Sequence, residues 1–101
     1  MSSQRFPVVA TRRAQQQVAT ARAWWRAHRD KAPHAFDEAL DDALDRLSLS
    51  PAIGERVRTS RRSGMRRWHI ERIRYAMYYV IEGDLLIVLS FWHTSRRPPK
   101  L

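Results

Sequence analysis

The segment Leu85–Trp92 reads Leu-Leu-Ile-Val-Leu-Ser-Phe-Trp, with Ser90 its sole polar residue. It is far shorter than the ~18 residues of a membrane-spanning helix. Its β-branched and aromatic content suits a strand. A strand apolar on both faces needs cover on both, so it belongs inside a sheet. Gly83-Asp84 just before it is a two-residue hairpin signal. The partner across that turn is Tyr75–Glu82, also rich in strand formers. Upstream, Arg67-Trp68-His69-Ile70-Glu71 alternates, with Trp68 and Ile70 pointing one way and Arg67, His69 and Glu71 the other. Three C-terminal strands are therefore expected. The tail from Ser95 carries Pro98-Pro99 and cannot continue a central strand, because proline lacks the donor.

The first half has a different period. Phe6–Ala10 is a short apolar run, and Thr11 after it can cap a helix. Ala14, Val18, Ala21 and Trp25 recur at helical spacing and predict a helix over Arg12–Arg29. Asp30-Lys31-Ala32-Pro33 breaks it, and Pro33 suits the first turn of a second helix. Phe36, Leu40, Ala43, Leu44 and Leu47 form that helix's apolar stripe; Asp37, Glu38, Asp41, Asp42 and Asp45 fall opposite and read as a solvated face. Ser50–Gly54 ends the helix, and Glu55–Gly64 carries no clear period. The fold expected is α+β, in the order β-α-α-β-β-β: a helical hairpin on one face of a mainly antiparallel four-stranded sheet, the first strand at an edge. A chain of 101 residues makes this a single domain.

With Ile73-Arg74 as the first hairpin turn, Trp68 faces Tyr79, Ile70 faces Met77 and His69 faces Tyr78. With Gly83-Asp84 as the second, Tyr79 faces Val88, Tyr75 faces Trp92 and Arg74 faces His93. Opposed residues share a face. One face then holds Trp68, Ile70, Tyr75, Met77, Tyr79, Ile81, Leu86, Val88 and Trp92 for the helices. The other holds Arg67, His69, Glu71, Arg74, Tyr78, Val80, Ile87, Leu89, Phe91 and His93. Two helices cannot cover both faces, so the tail or a partner must cover the second. A one-residue bulge would exchange part of this map.

Charge narrows the partners. The formal net charge is +9, with seventeen of nineteen basic residues arginine. Residues 1–29 carry six Arg and no acid; 30–55 carry seven acids and two bases; 56–101 carry eleven bases and three acids. Arginine forks grip phosphate and carboxylate bidentately, so anionic partners are expected: nucleic acid, an acidic protein, or both. Basic usage without a partner is the plainer alternative. The absence of cysteine excludes disulfide scaffolds and Cys-ligated metal. There is no apolar run of membrane length and no secretory h-region; the expectation is a soluble cytoplasmic domain.

No P-loop, GxSxG or HExxH is present. His28, His34, His69 and His93 form no i,i+4 pair, so neither a metal nor a cofactor is expected. His93, with Arg74 predicted opposite and Arg96-Arg97 beyond, has the composition of a phosphodiester-cleaving site: imidazole moves a proton and guanidinium groups hold the developing charge. The plainer alternative is a strand-end histidine bonded to a loop. Trp24, Trp25, Trp68 and Trp92 suit either base stacking or the core.

Several stretches, in order, resemble the RelE/ParE toxin family of type II toxin–antitoxin modules. They are Ala32-Pro33 with Phe36, Leu40, Ala43-Leu44 and Leu47; Pro51 and Gly54; Gly64-Met65-Arg66-Arg67; Tyr75-Ala76-Met77-Tyr78-Tyr79; Glu82-Gly83-Asp84; and Trp92-His93-Thr94-Ser95-Arg96-Arg97-Pro98. The resemblance implies the same β-α-α-β-β-β fold and one of two activities. RelE-like members cut mRNA on the ribosome; ParE-like members poison DNA gyrase and need no nuclease site. One nuclease branch uses an acidic base after the second helix, an arginine on the middle strand, and a terminal His followed by Tyr. Here only His93 matches; Thr94 follows it, Arg56 and Arg58 stand where the acid is sought, and Arg74 lies beside the arginine position. The RelE branch uses basic residues, a role open to Arg67 and Arg74. The ParE-like branch is favoured, with a basic nucleic-acid-binding module as a third possibility. On this reading Arg67, Arg74, Arg96 and Arg97 bind the target or phosphate. Tyr78, Leu89 and Phe91 on the uncovered face take the antitoxin, whose acidic, disordered C-terminal segment folds on binding.

Overall fold

The computed structural model describes residues 5–29, 32–58 and 62–99. The predicted break at Asp30-Lys31, part of the unassigned Glu55–Gly64 stretch and the last two tail residues lie outside them. Strand β1 is Val8–Ala10. Thr11 follows, its Oγ1 accepting the Ala14 amide hydrogen at 3.1 Å, and helix α1 runs over Arg12–His28. Ala14, Ala21 and Trp25 of its stripe are buried, and the Trp25 indole donates to the Ala32 carbonyl at 2.9 Å, fastening the turn between helices. Helix α2, Ala35–Leu49, starts after a turn through Pro33 and His34 and buries Phe36, Leu40, Ala43 and Leu47. A 3₁₀ turn, Pro51–Ile53, leads to β2, Glu55–Arg56. Strands β3 (Arg66–Ile70), β4 (Tyr75–Glu82) and β5 (Leu85–His93) complete the sheet.

The sheet has five strands in the order β1-β5-β4-β3-β2, β1 parallel to β5 and the rest antiparallel. The fifth is the two-residue β2, too short to show a period in sequence. The doubly apolar β5 sits between β1 and β4, and β1 is an edge, both as expected.

Two registers differ from the sequence map. The first hairpin turns through four residues, Glu71–Arg74, with Arg74 at φ 60°, so Trp68 faces Met77, His69 faces Ala76 and Ile70 faces Tyr75. This slip of two positions preserves each strand's inward face. The second hairpin begins as predicted, with Tyr79 opposite Val88, but an irregularity at Tyr78/Tyr79 leaves Leu89 out of the ladder. Beyond it Met77 faces Phe91, Ala76 faces Trp92 and Tyr75 faces His93, replacing the expected Tyr75–Trp92 and Arg74–His93 pairs. One inserted residue reverses the alternation. Phe91 and His93 thus turn to the helix side, and Trp92 to the other.

The helix-side core centres on Phe36, whose ring meets Phe91 and Tyr75 edge-on at 5.8 and 6.1 Å, while Tyr75 and Phe91 stack at 4.7 Å. A second cluster, Met65, Ala76, Tyr78 and Val80, lies on the far face with Val57, Ile87, Leu89 and Trp92 against it. The chain's own Met65 and Val57 therefore cover part of the face expected to be open. The acidic side of α2 is braced by arginines from elsewhere: Asp37 meets Arg22 at 2.7 Å and Arg26 at 3.4 Å, Glu38 meets Arg72 at 3.1 Å, and Asp45 meets Arg5. Exposed pairs of this kind contribute about 0–1 kcal/mol each.

Candidate functional site

The residues singled out from sequence fall into two clusters, one on each face. On the far face, β2 sets Glu55 opposite Arg67. Arg67 donates through Nε and Nη2 to Glu55 Oε1 at 2.9 and 2.7 Å, and His69 Nε2 lies 3.4 Å from the same oxygen. The Arg67 guanidinium is 5.9 Å from the Tyr78 ring centre. Tyr78 and then Glu55 push the Arg67 pKa upward, while Arg67, with His69 a smaller cause, draws the Glu55 carboxyl below its usual range. His69, Glu71, Arg74 and Thr94 line a polar hollow of about 250 Å³ beyond them. The Arg74 carbonyl accepts from the Thr94 amide at 2.9 Å, which ties this turn to the end of β5.

On the helix side, the bulge carries His93 against Tyr75, ring centres 5.0 Å apart and edge-on. His93 Nδ1 receives the Ser95 amide hydrogen at 3.1 Å and lies 2.6 Å from Ser95 Oγ. Burial raises the Tyr75 pKa, partly offset by the charge of Arg96. Arg96 sits 4.2 Å over the Trp92 ring, and the Trp92 indole donates to the Arg97 carbonyl at 2.5 Å, folding the tail start against Trp92. The tail thus supplies some of the cover that sequence left to it or to a partner.

The candidates are therefore split. Arg67 and Arg74 border the far-face cluster, while His93 and Arg96 lie at the helix-side groove. Of the residues expected to receive a partner, Tyr78 and Phe91 are only 4% and 2% exposed, Phe91 in the helix-side core because of the bulge; Leu89 is half-buried. Val9, Trp24, Leu49 and Ile53 are the large apolar side chains left exposed among the described residues. Glu55 and His69 were not assigned roles from sequence. Glu55 is the first acid after α2, but its pairing with Arg67 becomes visible only once β2 is recognised. Among the described residues no cluster of His, Cys, Asp and Glu could hold a metal ion, and no helix is long and apolar enough to cross a membrane.

The sequence model for the ParE toxin of the type II toxin–antitoxin system parDE matches residues 8–98. The fold is similar to that in a structure of the chromosomal ParDE toxin–antitoxin system from P. aeruginosa: TM-score 0.63 at 18% identity, over 87% of this chain and 95% of that one. It is also similar to the solution structure of a conserved hypothetical protein from Helicobacter pylori: TM-score 0.57 at 15% identity, over 89% of this chain and 96% of that one. No curated protein matches in sequence.

Proposed function

The chain belongs to the ParE toxin family of type II toxin–antitoxin systems, and from that premise we propose that it arrests growth by inhibiting DNA gyrase, without cutting nucleic acid itself. A toxin of this class works against an antitoxin partner; that the cognate antitoxin neutralises this chain through an acidic, disordered segment is part of the same proposal. One observation carries the non-nuclease reading. The proton-transfer candidate His93 lies on the helix face, whereas Arg67 lies on the opposite face and is engaged by Glu55. General acid–base chemistry needs its groups within hydrogen-bond reach of one scissile bond, and a sheet separates these two.

The Glu55–Arg67–His69 cluster favours a second reading, an mRNA endonuclease. There Glu55 orients His69, and Arg74 beside the hollow meets phosphate. Inducing the chain with and without a short adjacent reading frame whose C-terminal half is acidic tests the toxin role. Growth arrest alone and recovery on co-expression are expected. Unimpaired growth at confirmed soluble expression would remove the toxin role and leave a basic nucleic-acid-binding module.

A further inference from the structure

A groove of about 400 Å³ runs between the C-terminal half of α1 and the end of β5. Its floor is Tyr75 and Phe91, and Trp24 and Trp92 border it. Trp24 is 45% exposed, yet its ring is held: His28 stacks on it at 4.4 Å and 14°, and the Arg29 guanidinium lies 5.5 Å from its centre. Gln17 Oε1 is already engaged, accepting from the Phe91 amide at 2.9 Å and from Ser90 Oγ at 3.1 Å, and several of the other polar groups at the groove can donate. Ser95 occupies His93 Nδ1 from its amide and sits hydroxyl-first beside it, so the neutral imidazole carries its proton on Nε2. Tyr75 adds a hydroxyl and Arg96 a guanidinium, and among the described residues no carboxylate lines the groove.

We propose that this groove binds an unpaired nucleotide of a single-stranded nucleic acid. The base would stack on Trp24, and Arg96 with His93 Nε2–H would take the phosphate. Held aromatic surface beside donors and a guanidinium, with no acid among the described lining residues, is how sequence-tolerant single-strand sites are built. An acidic peptide is the competing occupant, and the test sets one against the single strand. This site stands on the groove alone and requires neither gyrase nor an antitoxin.

The test is fluorescence anisotropy of a labelled eight-residue oligothymidylate titrated with the full chain, at several salt concentrations. Competitors are unlabelled oligothymidylate, a duplex of the same length, thymidine monophosphate, and a polyglutamate peptide containing one phenylalanine. Saturable binding is expected, displaced by the single strand far better than by duplex or peptide. Trp24→Ala should weaken it roughly ten-fold or more. Trp24→Phe should restore most of it, which separates stacking from a folding defect. Arg96→Ala should lower the salt dependence by about one phosphate contact, and Arg13→Ala at the far end of α1 should change little. Competition by the monophosphate with the same Trp24 dependence assigns the site to the nucleotide unit; competition by the strand alone assigns it to the strand, and either supports the proposal. Equal binding of duplex, displacement by the peptide instead, insensitivity to Trp24→Ala, or no binding would overturn it.

Discussion

Tyr79 shows how one side chain can hold several elements. It is fully buried, and its hydroxyl donates to the Pro51 carbonyl at 2.6 Å while accepting the Gly54 amide hydrogen at 3.0 Å. Gly54 is required for that approach: a Cβ there would lie 2.5 Å from the Tyr79 hydroxyl and 2.9 Å from the Arg67 carbonyl oxygen. Tyr79→Phe strands a buried donor and a buried acceptor, and should cost about 1–3 kcal/mol in urea unfolding with an unchanged slope. Asp37 gives a pH signature. Its hydrogen bond to Arg22 is the first cause holding its pKa below the ordinary 3.8. A carboxyl depressed in the folded state contributes stability that is present above its unfolded value and lost as pH falls through the folded one. Asp37→Asn should therefore narrow the stability difference between neutral and strongly acid pH, read from thermal midpoints across pH 2–7; the same acid slope in both proteins would contradict the role given to Arg22.

At the scale of elements, the Thr11 cap was readable from sequence because a hydroxyl just before a helical stripe has one obvious use. Thr11→Ala should cost about 1 kcal/mol in the same unfolding measurement. The helix stripe, the Gly83-Asp84 turn and the interior place of Leu85–Trp92 were readable for similarly local reasons. Leu89 was not. Nothing in Val88-Leu89-Ser90 marks which residue leaves the ladder, because the bulge is settled by tertiary packing: it brings Phe91 onto Phe36 and frees Trp92 for the tail. The same step removed Phe91 from the expected partner surface and carried His93 away from Arg67. The wider first turn was hidden too, since Arg74 adopts a positive φ that no glycine advertises. Deleting Leu89 should remove the bulge yet leave Ser90 opposite Tyr78 and Phe91 opposite Met77, so Phe91 should stay on Phe36 and the cooperative unfolding transition should persist; loss of that transition would contradict this reading of the register.

At the scale of the whole molecule, the acids of α2 are largely taken up by arginines of the same chain, while Arg12, Arg13, Arg58, Arg62, Arg96 and Arg97 are among the described arginines that carry the excess charge. Charge reversal at Arg96 and Arg97 should weaken growth arrest at equal soluble expression if these groups meet the target. The central claim is a toxin that does not cut nucleic acid, and the most direct measurement follows gyrase-linked DNA breaks and transcript ends together in one induced culture. It is made on the parent chain, His93→Ala and Glu55→Gln. The account predicts DNA breaks without new transcript ends in all three, with arrest largely unchanged by either substitution. Transcript cleavage in the parent that vanishes with His93→Ala or Glu55→Gln, unaccompanied by gyrase-linked breaks, would contradict it.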